Sequence, residues 1–240
     1  MSPLFHILHE DADLLVVNKP AGLVCHPTRD GEMSSLVGRL RLHLGTAEGR
    51  LVNRLDRETS GVVLIAKNVD TARELGKLLA ASGVDKRYWA IVHGHVEKDT
   101  TVIDAPLGRD EGSAVAIKDC VRADGASART QISVNRRCVR DGRLFTWLDV
   151  APETGRKHQI RIHLAHIGHP IVGDKIYGAD ERLYLRFIDN TLTPEDHAAL
   201  MVANHLLHAR HVSFVWRGRP WAFDADPDAD FSAMLSACRT

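Results

Sequence analysis

The chain lacks most of the features that mark a specialised class. It has four cysteines, Cys25, Cys120, Cys138 and Cys238, far apart and none in a C-x-x-C pair. That spacing reads as four reduced thiols rather than a disulfide or zinc framework. No apolar run approaches the ~20 residues that a membrane helix needs. The amino terminus, MSPLFHILHEDADLLVV, has no basic stretch leading into an apolar one, so no secretory signal is expected. These absences lead to the expectation of a cytoplasmic protein with no membrane partner. No G-x-G-x-x-G or Walker loop occurs, so a nucleotide cofactor has no support. Net formal charge is zero, whereas a nucleic-acid binder is more often basic. No internal repeat or low-complexity tract interrupts the chain.

What is present is an ordinary globular composition. Of the 240 residues, 44% are hydrophobic and 26% charged. A chain of this length buries roughly 70–75% of its unfolded surface, enough for a core without staples. Charge is unevenly spread. Acids gather at Glu10 to Asp13 and Asp224 to Asp230, and bases at Arg136 to Arg143 and Arg156 to Arg161. Such basic patches can track phosphates, although charge alone favours a solvated surface.

Periodicity predicts the elements. Leu14 to Val17 is a short strand that stops at Asn18-Lys19-Pro20. Ser35 to Leu44 has helical spacing. Val62 to Ala66 reads as a strand buried on both faces. Thr71 to Glu74 has capping-box spacing, so a helix is expected over ~71–82, ended by Gly83. Tyr88 to Val92, Thr130 to Val134, Leu144 to Val150 and His211 to Trp216 read as strands. Arg156 to Ile167 reads as a helix with Lys157 and Arg161 on one face. Thr193-Pro194-Glu195-Asp196 starts another helix, and Asp230 caps a last one. Strands and helices mix without βαβ alternation. The expectation is an α+β fold on a mixed, largely antiparallel sheet with flanking helices, in a single catalytic domain over 1–240.

Three stretches carry chemistry. In Asn53-Arg54-Leu55-Asp56-Arg57-Glu58-Thr59-Ser60-Gly61, a carboxylate flanked by two arginines sits in a turn before the buried strand. Neighbouring guanidinium groups favour its ionised form, which can act as nucleophile or base. In Thr154 to Leu164 a glycine turn enters a basic helix, and Arg161 suits a carboxylate or phosphate in a bidentate fork. Gly168 to Gly178 is a loop tightly specified by three glycines and a proline. Taken singly, each also fits a structural role: a salt-bridged turn, a basic helix face, and loop punctuation.

Together they resemble the RluA-type family of RNA pseudouridine synthases. Ile7 to Pro20, ending Val-Val-Asn-Lys-Pro, resembles the opening motif. Arg54 to Gly61 resembles the catalytic-aspartate motif H-R-L-D-x-x-T-S-G. Lys86-Arg87-Tyr88 resembles K-x-Y, and the Thr154 and Gly168 stretches resemble the carboxy-terminal motifs. The resemblance implies that uridines in ribosomal or transfer RNA are isomerised to pseudouridine through base flipping, with no cofactor or metal. It implies Asp56 as the nucleophile, Tyr88 as the stacking and proton-handling tyrosine, and Arg161 as the partner of Asp56. Arg54 would occupy the gap left by the flipped nucleotide. Lys19, Arg54, Arg156 and Lys157 are the expected RNA contacts. Where the family usually has His, this chain has Asn53, which is expected to tune the turn rather than to move protons. No S4-like RNA-binding domain is expected, and the protein is expected to be a monomer. Two other readings compete. A catalytically silent RNA-binding module rests on Asn53. A metal hydrolase rests on 14 histidines, among them His205, His208 and His211 and His163, His166 and His169 at i, i+3, i+6.

Overall fold

A computed structural model describes residues 5–27, 31–81 and 83–237. Cys238 lies outside them. The chain divides into two compact units, Met1–Arg87 with His208–Asp228, and Tyr88–Leu207 with Ala229–Thr240.

In the first unit, β1 (His6–Glu10), β2 (Leu14–Lys19) and β4 (Ser60–Ala66) form an antiparallel run, and β3 (Arg50–Leu51) pairs with β4. β11 (Leu207–Trp216) joins β4 in parallel, with His208 opposite Ser60 and Ala209 opposite Gly61, and β12 (Arg219–Asp224) runs antiparallel to β11. Every residue of β4 is buried, as its unbroken Val-Val-Leu-Ile run predicts. Val62 and Leu64 meet Leu14, Val16, Leu75 and Phe214 in one core. Each such side chain contributes about 1.5–3 kcal/mol, so the strand that follows Asp56 is a stable base.

α1 (Leu36–Leu44) starts where Ser35 accepts from the Gly38 amide. α2 (Val69–Ala80) starts earlier than expected: Asn68, not Thr71, is the N-cap, accepting from the Thr71 amide at 2.9 Å. Asn ranks at least with Thr as a cap, and it captures the amide that the expected capping box would have left outside the helix.

In the second unit, β5 (Val84–His93), β10 (Arg143–Pro152), β9 (Arg129–Arg140) and β6 (Thr100–Asp104) lie side by side, all antiparallel. Asp141 and Gly142, both at positive φ, close the β9–β10 hairpin, the Asp-Gly chemistry of a tight primed turn. A small pair, β7 (Leu107–Arg109) and β8 (Asp119–Val121), stands apart from this sheet. Four helices complete the unit: α3 (Gln159–His166), α4 (Arg182–Ile188), α5 (Pro194–Leu200) and α6 (Ala229–Ala237). The helix start expected at Thr193 is present, and there Thr193 and Asp196 form a capping box. The fold is the expected α+β architecture: mixed because β4 and β11 are parallel, while the other strand pairs described above are antiparallel. No helix among the described residues is long and apolar enough to cross a membrane.

Candidate active site

Asp56 lies in the loop between β3 and β4, half-buried, with the Thr59 amide donating to its carbonyl at 3.2 Å. Two side chains fix this loop from below. Asn53 accepts from the Leu64 amide at 2.7 Å and donates to the Val62 carbonyl at 3.2 Å. It therefore pairs with β4 as an extra strand residue would, which agrees with the expectation that it shapes the turn. Lys19 is the second. Its side chain is 0% exposed and its ammonium donates to the carbonyls of Pro20, Leu23 and Arg57 at 2.9, 2.8 and 3.1 Å.

The expected role of Lys19 as an RNA contact is therefore corrected. All three of its donors are spent on backbone carbonyls, and a fully buried ammonium cannot meet a phosphate in solvent. It holds the Asp56 loop to the end of β2 instead. Burial pushes its pKa from 10.5 down to about 8, with Cys25 and Asp56 pulling the other way. The unfolded chain keeps this proton to about pH 10.4. Between the two values the unfolded state binds more protons, so stability rises with pH across that window and is lowest below it. Relative to a Lys19→Met protein, wild type is expected to gain on the order of 3 kcal/mol between those pH values. Denaturant melts of both proteins at pH 7.5 and 10.5 measure this, and a constant difference would show that Lys19 titrates normally.

Arg54 and Arg57 flank Asp56, both exposed.

The second unit carries the other expected residues. Tyr88 stands on β5 opposite Val150, half-buried against the core that includes Ala90 and Leu148. Arg161 is buried in α3. Its Nε and Nη2 donate to Asp174 at 2.7 and 2.8 Å in a bidentate fork, and its guanidinium carbon lies 5.0 Å from the Tyr177 ring centre. Asp174 also accepts from the amides of Ile176 and Tyr177. Burial alone would raise the Asp174 carboxyl. The Arg161 charge and its N–H bonds, His205 and the Tyr177 amide outweigh burial and hold it well below the usual carboxylate range.

Arg156 and Lys157 are exposed, the first donating to Ser127 and the second paired with Asp119 at 2.9 Å. They do not share a helix face with Arg161. His158 takes a left-handed conformation at φ 54°, and α3 begins only after it, so the turn aims Lys157 outward while Arg161 points into the core. The Arg136 to Arg143 cluster is also largely committed. Arg137 binds Val96, Glu97 and Asp99, and Arg136 donates to Leu235. These arginines fasten α6 and the loop before β6 rather than forming a solvated surface.

The histidine trios do not converge. His163 meets Thr130 and Ala105, His169 meets His93, His208 meets Ser60 and Ala225, and His211 meets Asp224. No group of His, Cys, Asp and Glu among the described residues could hold a metal ion. Asp174 went unread in the sequence. Its signal was its place between Gly173 and Gly178, at both of which a side chain would collide with neighbouring backbone or side chain.

A family model described as RNA pseudouridylate synthase matches residues 13–166, a span that holds Asp56, Tyr88 and Arg161. An uncharacterized RNA pseudouridine synthase of Aquifex aeolicus is 34% identical over 96% of this chain and 72% of its own. Ribosomal large subunit pseudouridine synthase D of Xanthomonas campestris pv. campestris is 35% identical, over 98% and 69%. Human RNA Pseudouridylate Synthase Domain Containing 4 is 26% identical with a TM-score of 0.73, over 98% of this chain and 94% of that one. Human RNA Pseudouridylate Synthase Domain Containing 1 shares the fold, at a TM-score of 0.76 and 23% identity, over 98% and 87%. The chain belongs to the RNA pseudouridine synthase family, of the RluA type. It is an isomerase whose partner is RNA, which sets aside the metal hydrolase reading.

Proposed function

We propose that this enzyme isomerises specific uridines in ribosomal or transfer RNA, with Asp56 as the nucleophile, and that 1–240 acts as one catalytic domain. The observation that carries the reading is the turn at the start of β4. Asn53 and Lys19 brace it, and Asp56 is only half-buried. Several similar proteins are named ribosomal large subunit pseudouridine synthase D, which favours ribosomal RNA first. On this reading the enzyme works as a cytoplasmic monomer.

The chemistry asks for what these residues offer. The C1′–N1 bond breaks, the uracil turns, and a C1′–C5 bond forms. N1 gains a proton and C5 loses one, so the reaction is redox-neutral and calls for no cofactor. Positive charge builds on the sugar as the bond breaks, and a carboxylate stabilises or traps it, as in glycosidases. The target base must first leave its stack at a cost of a few kcal/mol. Stacking on Tyr88 returns about 1–3 kcal/mol, and Arg54 entering the vacated space lowers the cost further. Arg156 and Lys157 follow the phosphates.

Mapping pseudouridines across all RNA in cells with and without the gene tests activity and substrate together. Sites lost with the gene and restored by the purified enzyme support the reading, and an unchanged map refutes it. Tyr88→Phe is expected to retain RNA affinity and lose turnover by roughly 10²–10⁴-fold, the usual worth of a positioned proton carrier. Release of tritium from C5-labelled uridine measures it, and full turnover would take the hydroxyl out of the mechanism.

A further inference from the structure

We infer that His208 and Ser60 are positioning residues that set the turn carrying Asp56. The inference rests on the reading of Asp56 as nucleophile and adds two residues to it. His208 is completely buried, and Ser60 nearly so. Ser60 Oγ lies 2.9 Å from His208 Nδ1, and His208 Nε2 lies 2.9 Å from the Ala225 carbonyl oxygen.

The tautomer follows from the partners. A carbonyl oxygen only accepts, so Nε2 carries the proton and donates to Ala225. In a neutral imidazole Nδ1 is then bare, and the Ser60 hydroxyl donates to it. Burial favours that neutral form by lowering the His208 pKa. The result is a directed chain from the Ser60 hydroxyl through the imidazole to a fixed carbonyl. Arg210 Nη1 also donates to that carbonyl at 2.9 Å, which anchors the far end.

This chain sits where β4 begins. Ser60 pairs with His208, and Gly61 with Ala209, in the parallel ladder of β4 and β11. Gly61 has φ +117°, and the Ala209 backbone fills the space that a side chain at Gly61 would need. The first two residues of β4 are therefore held against β11 in a single register. Asp56 lies four residues upstream, across a turn closed by the Thr59 amide. A shift at Ser60 passes directly into that turn. Displacing a reacting group by about 1 Å can cost 10²-fold in rate.

Ser60→Ala is expected to lower kcat by about 10–100-fold while leaving KM for RNA within about twofold. Two substitutions at His208 separate its two bonds. Asn at that position puts an acceptor near the place of Nδ1 and keeps the Ser60 bond. Gln puts a donor near the place of Nε2 and keeps the Ala225 bond. His208→Asn is expected to hold kcat within about threefold of wild type, whereas His208→Gln falls as far as Ser60→Ala. The double variant Ser60→Ala/His208→Gln should be no slower than either single, because one interaction is being removed twice. If the His208 variants do not fold, Ser60→Thr decides: it keeps the hydroxyl and should keep kcat. Undiminished kcat in Ser60→Ala, or equal losses in the Asn and Gln variants, would overturn the inference. Asp56→Asn, assayed alongside, separates the two claims. Its full activity would sink the nucleophile reading, whereas an inactive Asp56→Asn beside a fully active Ser60→Ala would sink only the positioning role.

Discussion

Asp56→Asn is expected to abolish pseudouridine formation, with a fall of at least about 10⁴-fold in kcat, the scale seen when a group that acts only in the transition state is removed. The substitution is nearly isosteric, so it tests charge rather than shape. An amide can neither trap nor stabilise a cationic sugar as a carboxylate does. The fold should tolerate it. The turn is closed by the Asp56 backbone carbonyl, which the substitution keeps, and the residue is only half-buried. Lys19 loses one neighbouring negative charge but keeps its three carbonyl acceptors, so the loss of stability should be small. Tritium release together with RNA binding by filter retention gives the two needed numbers. Undiminished release would remove Asp56 from the mechanism, and lost binding would assign it to recognition instead.

Asp174→Ala is expected to be the most damaging single change to stability, at about 3–5 kcal/mol, because it takes the bidentate carboxylate away from a buried guanidinium. The Asp174 side chain is 0% exposed and that of Arg161 6%, so solvent cannot replace the lost partner. The amides of Ile176 and Tyr177 lose their acceptor at the same time. Against the 5–15 kcal/mol that keeps a typical domain folded, such a loss threatens folding at growth temperature. Asp174→Asn should recover part of it, since its oxygen can still accept from the amides while the charge pair with Arg161 is lost. Urea unfolding of wild type and both variants measures the order. A cost below about 1 kcal/mol for the alanine variant would show that the pair is solvated and replaceable.

Local signals in the sequence carried the fold well. The unbroken apolar run of β4, the strand patterns of β9 and β10, the helical spacing of α1 and the helix start at Thr193 are decided by neighbours within a few residues, and the structure has each of them. The turn at Asp56 was legible for the same reason. What stayed hidden depends on partners distant in sequence. Lys19 reads as a surface base until Arg57, 38 residues away, supplies a carbonyl for its ammonium. Arg161 reads as half of a basic helix face until Asp174 arrives from 13 residues on. His208 looks like one of three possible metal ligands until Ser60, 148 residues earlier, meets it. The misread α2 start came from two caps in competition, and the misread face of α3 from one left-handed residue. The helix α4 and the short strands β6, β7, β8 and β12 have weak periodicity and form through the packing around them.

Asn53 has one more consequence, for the media in which the catalytic loop keeps its shape. An imidazole at that position could receive the Leu64 amide and give to the Val62 carbonyl only while it holds a single proton. Mild acid would add a second and leave it nothing to receive with. A carboxamide does not titrate in that range, so here the brace beneath Asp56 is indifferent to acidification.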